Sequence, residues 1–208
     1  TSSVSPLPFH LSPITLCMKV GLFFGSFNPI HVGHLIIGNF MATQTDLKQV
    51  WFVVSPQNPL KLKRTLLRNH DRLHLVRLAI DDNMNLRASD VEFNLPQPSY
   101  TIDTLAVLKE KYRDKEFVLI MGGDNLATLQ KWKNYELILR DYDIYVYSRP
   151  AYELGELATH PRVRLYEEVP LMEISATYIR DCLKNGKSVQ YLVPDAVYDY
   201  LNASNLYK

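Results

Sequence analysis

Apolar residues along this chain fall into two patterns: short unbroken runs, and longer stretches in which they recur every three or four positions. Val20-Gly21-Leu22-Phe23-Phe24, Val50-Trp51-Phe52-Val53-Val54, Phe117-Val118-Leu119-Ile120-Met121 and Ile144-Tyr145-Val146-Tyr147 are unbroken runs, as expected of strands buried on both faces. Arg162-Val163-Arg164-Leu165 is mixed with charge and reads as an edge strand. Between the runs, Ile36, Ile37, Phe40 and Met41 form one helical stripe, and Asp71–Asp81 and Thr101–Tyr112 have the same spacing. The last third turns helical from about Ser175 to Leu201. Strands alternating with helices predict an α/β fold: a doubly wound parallel sheet, helices on both faces, and a helical C-terminal part. Ligands of such sheets bind beyond the carboxyl ends of the strands, where strand order reverses.

Composition narrows the picture. A chain of 208 residues with 47% hydrophobic residues suits one well-filled domain, expected over 18–208, and has no run long enough to span a membrane. Residues 1–17 are rich in Ser and Pro, carry neither period nor signal-peptide pattern, and are expected to be a disordered or extraneous extension. Met18-Lys19-Val20 reads as the natural start, because the first strand begins there. A net charge of +1 gives no global field to recruit nucleic acid, so anions must be bound locally. Cys17 and Cys182 make no disulfide framework, which fits a reducing cytoplasm, and Cys182 reads as a small core residue.

The densest chemistry lies in Gly25-Ser26-Phe27-Asn28-Pro29-Ile30-His31-Val32-Gly33-His34, where the first strand gives way to a helix. Unpaired N–H groups and the helix dipole favour anions there, while Gly25 and Gly33 leave room for a ligand to approach the backbone. An isolated His-x-x-His pair is more often a packing or capping device. Two imidazoles, two glycines and a helix start together make a site for polyphosphate. A protein-held metal is not expected, since structural zinc needs about four ligands and His10, His70, His74, His160, Cys17 and Cys182 lack such spacing. There is also no P-loop and no dinucleotide fingerprint.

Four further segments can contribute. Ser55-Pro56-Gln57-Asn58-Pro59-Leu60-Lys61 is a stiffened loop beyond the second strand, with Lys61 a candidate phosphate contact. Ser99, Tyr100 and Thr101 open a helix, with Ser99 or Thr101 as its cap and free N–H groups able to receive a carboxylate. Gly122-Gly123-Asp124 follows another strand, so a ligand can lie on the backbone while Asp124 accepts from ribose hydroxyls; Trp132 offers a face for a pyridinium ring. Ile174-Ser175 opens a last helix on which Arg180 can reach back toward a phosphate held near Ser175. Each has a plain structural reading, as an ordinary loop, cap, core residue or surface cation.

Taken together the motifs resemble a known family. G-x-F-x-P-x-H-x-G-H is similar to the HxGH signature of the nucleotidylyltransferase superfamily, and Ile174-Ser175-Ala176-Thr177-Tyr178-Ile179-Arg180 to its I-S-x-T-x-[IL]-R run. Ser99-Tyr100-Thr101 with Thr104 and Leu105, and Asp124 followed by Trp132, resemble the bacterial nicotinate mononucleotide adenylyltransferases within it. Ser26 and Asn28 depart from the commoner Thr and Asp of that family, and the Ser55–Lys61 loop departs from a doubled proline pattern.

The resemblance implies a Rossmann-like fold and adenylyl transfer from ATP to nicotinate mononucleotide, giving nicotinate adenine dinucleotide and pyrophosphate in NAD biosynthesis. His31, His34 and Arg180 would be catalytic. Gly25, Ser26, Phe27, His31, Gly33, His34, Lys61, Gly122, Asp124, Ile174, Ser175 and Arg180 would contact ATP; Ser99, Tyr100, Thr101 and Trp132 would contact the nicotinate nucleotide. Magnesium would arrive with ATP. Two rivals stay open: a related transferase such as phosphopantetheine adenylyltransferase, which does not need Asp124 with Trp132, and a nucleotide-binding module without chemistry. Oligomeric state is not legible.

Overall fold

The computed structural model describes residues 17–56, 66–148 and 154–207. The expected N-terminal extension, except Cys17, and Lys61 lie outside the described residues.

Six strands, β1 (Met18–Gly25), β2 (Gln49–Val54), β3 (Leu86–Ser89), β4 (Lys115–Gly122), β5 (Asp143–Tyr147) and β6 (Val163–Tyr166), form one sheet in the order β3-β2-β1-β4-β5-β6. Every neighbouring pair is parallel. The helices are α1 (Val32–Gln44), α2 (Asn69–Ala79), α3 (Thr101–Lys111), α4 (Gly123–Leu126), α5 (Tyr135–Asp141), α6 (Ala176–Lys184) and α7 (Asp195–Ala203).

The strand side chains alternate between two cores, which is why the runs are apolar throughout. Phe23, Phe52 and Val54 join Ile37 and Met41 of α1, Val76 of α2, Ile179 of α6 and Val197 of α7 on one face. Leu22, Trp51 and Val53 join Leu105 of α3, Leu126 of α4 and Ile138 of α5 on the other. The sheet is therefore doubly wound, and order reverses between β1 and β4. That crevice, at Gly25 and Gly122, is where the fold favours a ligand.

Three details differ from the sequence expectation. β3 has no apolar run to announce it, since Leu86-Arg87-Ala88-Ser89 is a short edge strand. The helical last third is two helices parted by Gly186, at φ 65°, and by Pro194, which precedes α7. The cap of α3 is Tyr100, without a side-chain cap bond, and not Ser99 or Thr101. Thr101 already lies inside the helix, and Ser99 is buried close to Glu92.

Candidate active site

Gly25 ends β1, and the chain turns through Phe27 at φ 43°, a left-handed conformation seldom adopted by a bulky residue. The turn drops the Phe27 ring into the core against Phe23, Phe52 and His34. His31 then caps α1 and His34 occupies its first turn. Their rings stack with centroids 3.7 Å apart, and Phe27 meets His34 edge-on at 5.1 Å. The His31 amide donates to His34 Nδ1 at 3.3 Å, which assigns the proton of a neutral His34 ring to Nε2 and makes that edge a donor.

The glycines serve this arrangement differently from the sequence expectation. A Cβ on Gly25 would stand 2.7 Å from the Phe27 ring, and one on Gly33 3.1 Å from His31 Nδ1. Both make room for the site's own rings before any ligand. The start of α1 is also less open than expected. The Val32 amide donates to Leu192 O at 3.0 Å, and those of His34 and Leu35 donate to His31 O.

α6 is brought against this turn. The Ser175 hydroxyl accepts from the Tyr178 amide at 3.1 Å, as an N-cap does. Arg180 reaches back one turn to Thr177 Oγ1 at 3.0 Å and across to Asn28 O at 2.8 Å, leaving its other N–H donors without a partner among the described residues. Ile174 packs half-buried against the first core, and its amide donates to Met172 O. Asn28 Oδ1 accepts from the Leu67 amide at 3.2 Å and from the Tyr207 hydroxyl at 2.7 Å. Burial pushes the Tyr207 phenol up, opposed by the nearby cations Arg180 and Arg72.

On the far side of the crevice, β4 runs into Gly122-Gly123-Asp124. A Cβ on Gly122 would lie 2.5 Å from Asp124 Oδ1, so glycine lets the carboxylate fold back over the strand end. That Oδ1 is buried and accepts no hydrogen bond among the described residues. Such an acceptor costs about 1–3 kcal/mol until a donor arrives.

The start of α3 is joined to the Trp132 segment through Lys133, whose ammonium meets Asp103 at 2.9 Å and lies 4.7 Å from the Tyr100 ring centroid. Trp132 is half-buried against the second core. Ser99 and Thr104 turn inward to Glu92, and Thr104 Oγ1 donates to its Oε1 at 2.8 Å. Burial raises the Glu92 carboxyl above its ordinary range, opposed by hydroxyl bonds from Thr104, Ser55 and Ser99.

Two buried ionic residues, Arg72 and Glu92, were not among the sequence candidates. Arg72 had a readable signal, since it shares one face of α2 with Val76 and Ala79 at positions where an apolar residue is expected. Glu92 lies in a short 3-10 turn at 91–94, where no period exists to expose it.

Comparison with known proteins gives a consistent result. Residues 22–182 match the family described as cytidylyltransferase-like. The chain is 54% identical over 193 residues to a probable nicotinate-nucleotide adenylyltransferase of Flavobacterium johnsoniae, covering 92% of this chain and 100% of that one. A protein of the same name from Cytophaga hutchinsonii is 55% identical over 190 residues, covering 91% and 98%. A solved Plasmodium falciparum nicotinic acid mononucleotide adenylyltransferase, complexed with NaAD, superposes with a TM-score of 0.77 at 20% identity, covering 91% of this chain and 97% of that one. At that identity it speaks for the fold.

Proposed function

Because the chain belongs to the cytidylyltransferase-like family and, within it, to the nicotinate-nucleotide adenylyltransferases, we propose that it joins ATP to nicotinate mononucleotide with release of pyrophosphate. One observation carries the reading. At the crevice between β1 and β4, the donors of His34 and Arg180 stand on one side, and on the other the buried Asp124 oxygen that accepts no hydrogen bond among the described residues. A nucleotide needs that combination, since its phosphates seek donors and its ribose hydroxyls seek an acceptor.

In this mechanism a phosphate oxygen of nicotinate mononucleotide attacks the α-phosphorus of ATP. One P–O bond forms, the bond to the β-phosphate breaks, and the electron pair leaves with pyrophosphate. The attacking oxygen is already ionised at neutral pH, so neither a general base nor a nucleophilic side chain is required. The protein aligns the reactants and stabilises charge on the phosphoryl oxygens. His31 and His34 face the transferred group. Arg180, anchored to Asn28 O and Thr177, holds the departing phosphates with its remaining donors. Ser99–Thr101 and Trp132 receive the nicotinate end, the ring carboxylate lying at the start of α3.

Magnesium carried on ATP would neutralise phosphate charge. The described residues contain no group of three or more His, Cys, Asp or Glu placed to hold a metal, so the phosphates and water are its ligands in this reading.

The test is turnover of the purified protein with ATP and either nicotinate mononucleotide or phosphopantetheine. Dinucleotide and pyrophosphate in equal amounts from the first, and nothing from the second, is the expected result. Turnover of phosphopantetheine alone would move the chain to the rival transferase, and ATP binding without turnover to the non-catalytic module.

A further inference from the structure

Arg72 is fully buried, and each of its five N–H donors has an acceptor. Nε donates to Leu67 O at 3.1 Å; one terminal nitrogen donates to Ser26 O and to Ser55 O at 2.8 Å; the other donates to Pro56 O at 3.3 Å and Asn69 Oδ1 at 2.8 Å. Not one of the five is a carboxylate. Burying a cation without a counter-charge is costly, and an apolar side chain would fill the same volume more cheaply. A guanidinium can do here what an apolar side chain cannot. It gathers main-chain carbonyls from the turn after β1, the end of β2 and the approach to α2, at fixed angles.

Ser55 extends the connection. Its amide donates to Gly25 O at 2.9 Å, its carbonyl accepts from Arg72, and its hydroxyl lies near enough to the Glu92 carboxyl to hold that group's pKa down against burial. Glu92 in turn accepts from the Thr104 hydroxyl at the start of α3, with Ser99 buried close by. A polar path, buried at Arg72 and Glu92 and half-buried at Ser55, therefore joins the histidine turn to the α3 start, across the end of β2.

We propose that Arg72 and Glu92 are positioning residues that set the distance between the two substrate subsites, with Ser55 as the link. The inference rests on the functional reading above, which puts ATP at one end of the path and the pyridine nucleotide at the other. Neither residue touches the reacting atoms. Each acts through the groups it holds.

The experiment compares Arg72→Lys, Asn69→Ala and Glu92→Gln with the parent enzyme. Kinetic constants are referred to folded protein, and amide hydrogen exchange is followed over residues 25–34. Arg72→Lys keeps the charge but cannot span three segments, so kcat should fall about 10²-fold while KM for the pyridine nucleotide stays within about twofold. Glu92→Gln should do the opposite, raising that KM about fivefold with little change in kcat. Asn69→Ala removes one of the five acceptors. It should lower kcat about threefold, and it decides the matter for Arg72 if Arg72→Lys does not fold. A purely structural role would reduce the amount of folded enzyme without splitting kcat from KM, and that result overturns the proposal.

Should the parent make no dinucleotide, the functional reading fails, and hydrogen exchange still decides the positioning. Faster exchange over 25–34 in the folded Arg72 or Asn69 variant supports it, and unchanged exchange refutes it.

Discussion

The two edges of the sheet treat ionic groups in opposite ways. At the edge where the strands begin, charges meet charges. Lys19 lies 2.9 Å from Asp46, 3.6 Å from Glu116 and 3.7 Å from Asp143; Arg162 meets Asp143 at 3.1 Å, and Tyr145 donates to Asp46. Burial works against the Lys19 ammonium, but the Asp46 bond and the charges of Glu116, Asp46 and Asp143 outweigh it and hold its pKa up. At the edge where the strands end, Arg72 is held by carbonyls and Glu92 by the Thr104 hydroxyl, while among the described residues Arg180 is only partly used and Asp124 Oδ1 accepts no hydrogen bond. Paired charges cancel and add a little stability. Arg72 and Glu92, held by neutral dipoles, fix the segments around the crevice, at a cost that the rest of the fold carries.

If that division is right, substitutions at the strand-end edge should change rates and those at the other edge should change only stability. The largest effect is expected at His34, whose Nε2 edge is a donor and which the proposed mechanism sets against the transferred group. His34→Ala should lower kcat about 10²–10³-fold with a far smaller change in KM for the pyridine nucleotide. Steady-state kinetics on the folded variant checks this, and near-normal turnover would remove the histidines from the mechanism.

Arg180→Lys comes next. It keeps the charge and loses the fork that spans Asn28 and Thr177 and, in the proposed mechanism, a phosphate, so kcat/KM for ATP should fall about 10–100-fold. Calorimetry with ATP, paired with the assay, distinguishes this from a surface cation, which would leave both unchanged.

The smallest effect is expected at the opposite edge. Lys19→Met should cost about 1 kcal/mol of stability in urea unfolding and leave kcat and both KM values unaltered. The contribution is pH-dependent in a fixed sense. Burial raises the Asp46 pKa, but bonds from Tyr145 and Lys19 and the charges of Lys19 and Arg164 outweigh it and hold it below 3.8. Its share is therefore complete above the unfolded value and is lost as pH falls through the folded one. The Lys19 share, with a raised pKa, is complete below 10.5 and disappears as pH climbs through the folded value. A change in kcat in Lys19→Met would blur the contrast between the edges.

Legibility followed the same physics. The four unbroken apolar runs, the β1 turn and the Ser175 cap were readable because each is encoded within about ten consecutive residues. β3 was not, since an edge strand of four residues needs no apolar run. The capping expectation for Ser99 failed because the turn that holds Glu92, toward which Ser99 faces, has no local period. The hold on Asn28 was invisible, because Tyr207 bonds to it across 179 residues of sequence. Candidate residues could be named from motifs, whereas the carbonyls and hydroxyls that hold them in place belong to long-range contacts.

The central claim is that the strand-end edge is built to adenylylate the phosphate of a nucleotide whose ring bears a carboxylate, and the parent enzyme tests it most directly. Specificity constants should be measured with ATP in excess for nicotinate and nicotinamide mononucleotide. A ring carboxylate gains from the α3 dipole and its N–H donors, whereas a carboxamide gains less and brings donors of its own. The account predicts that the acid is preferred by more than about tenfold, equivalent to about 1.4 kcal/mol. Equal specificity constants, or a preference for the amide, would contradict it.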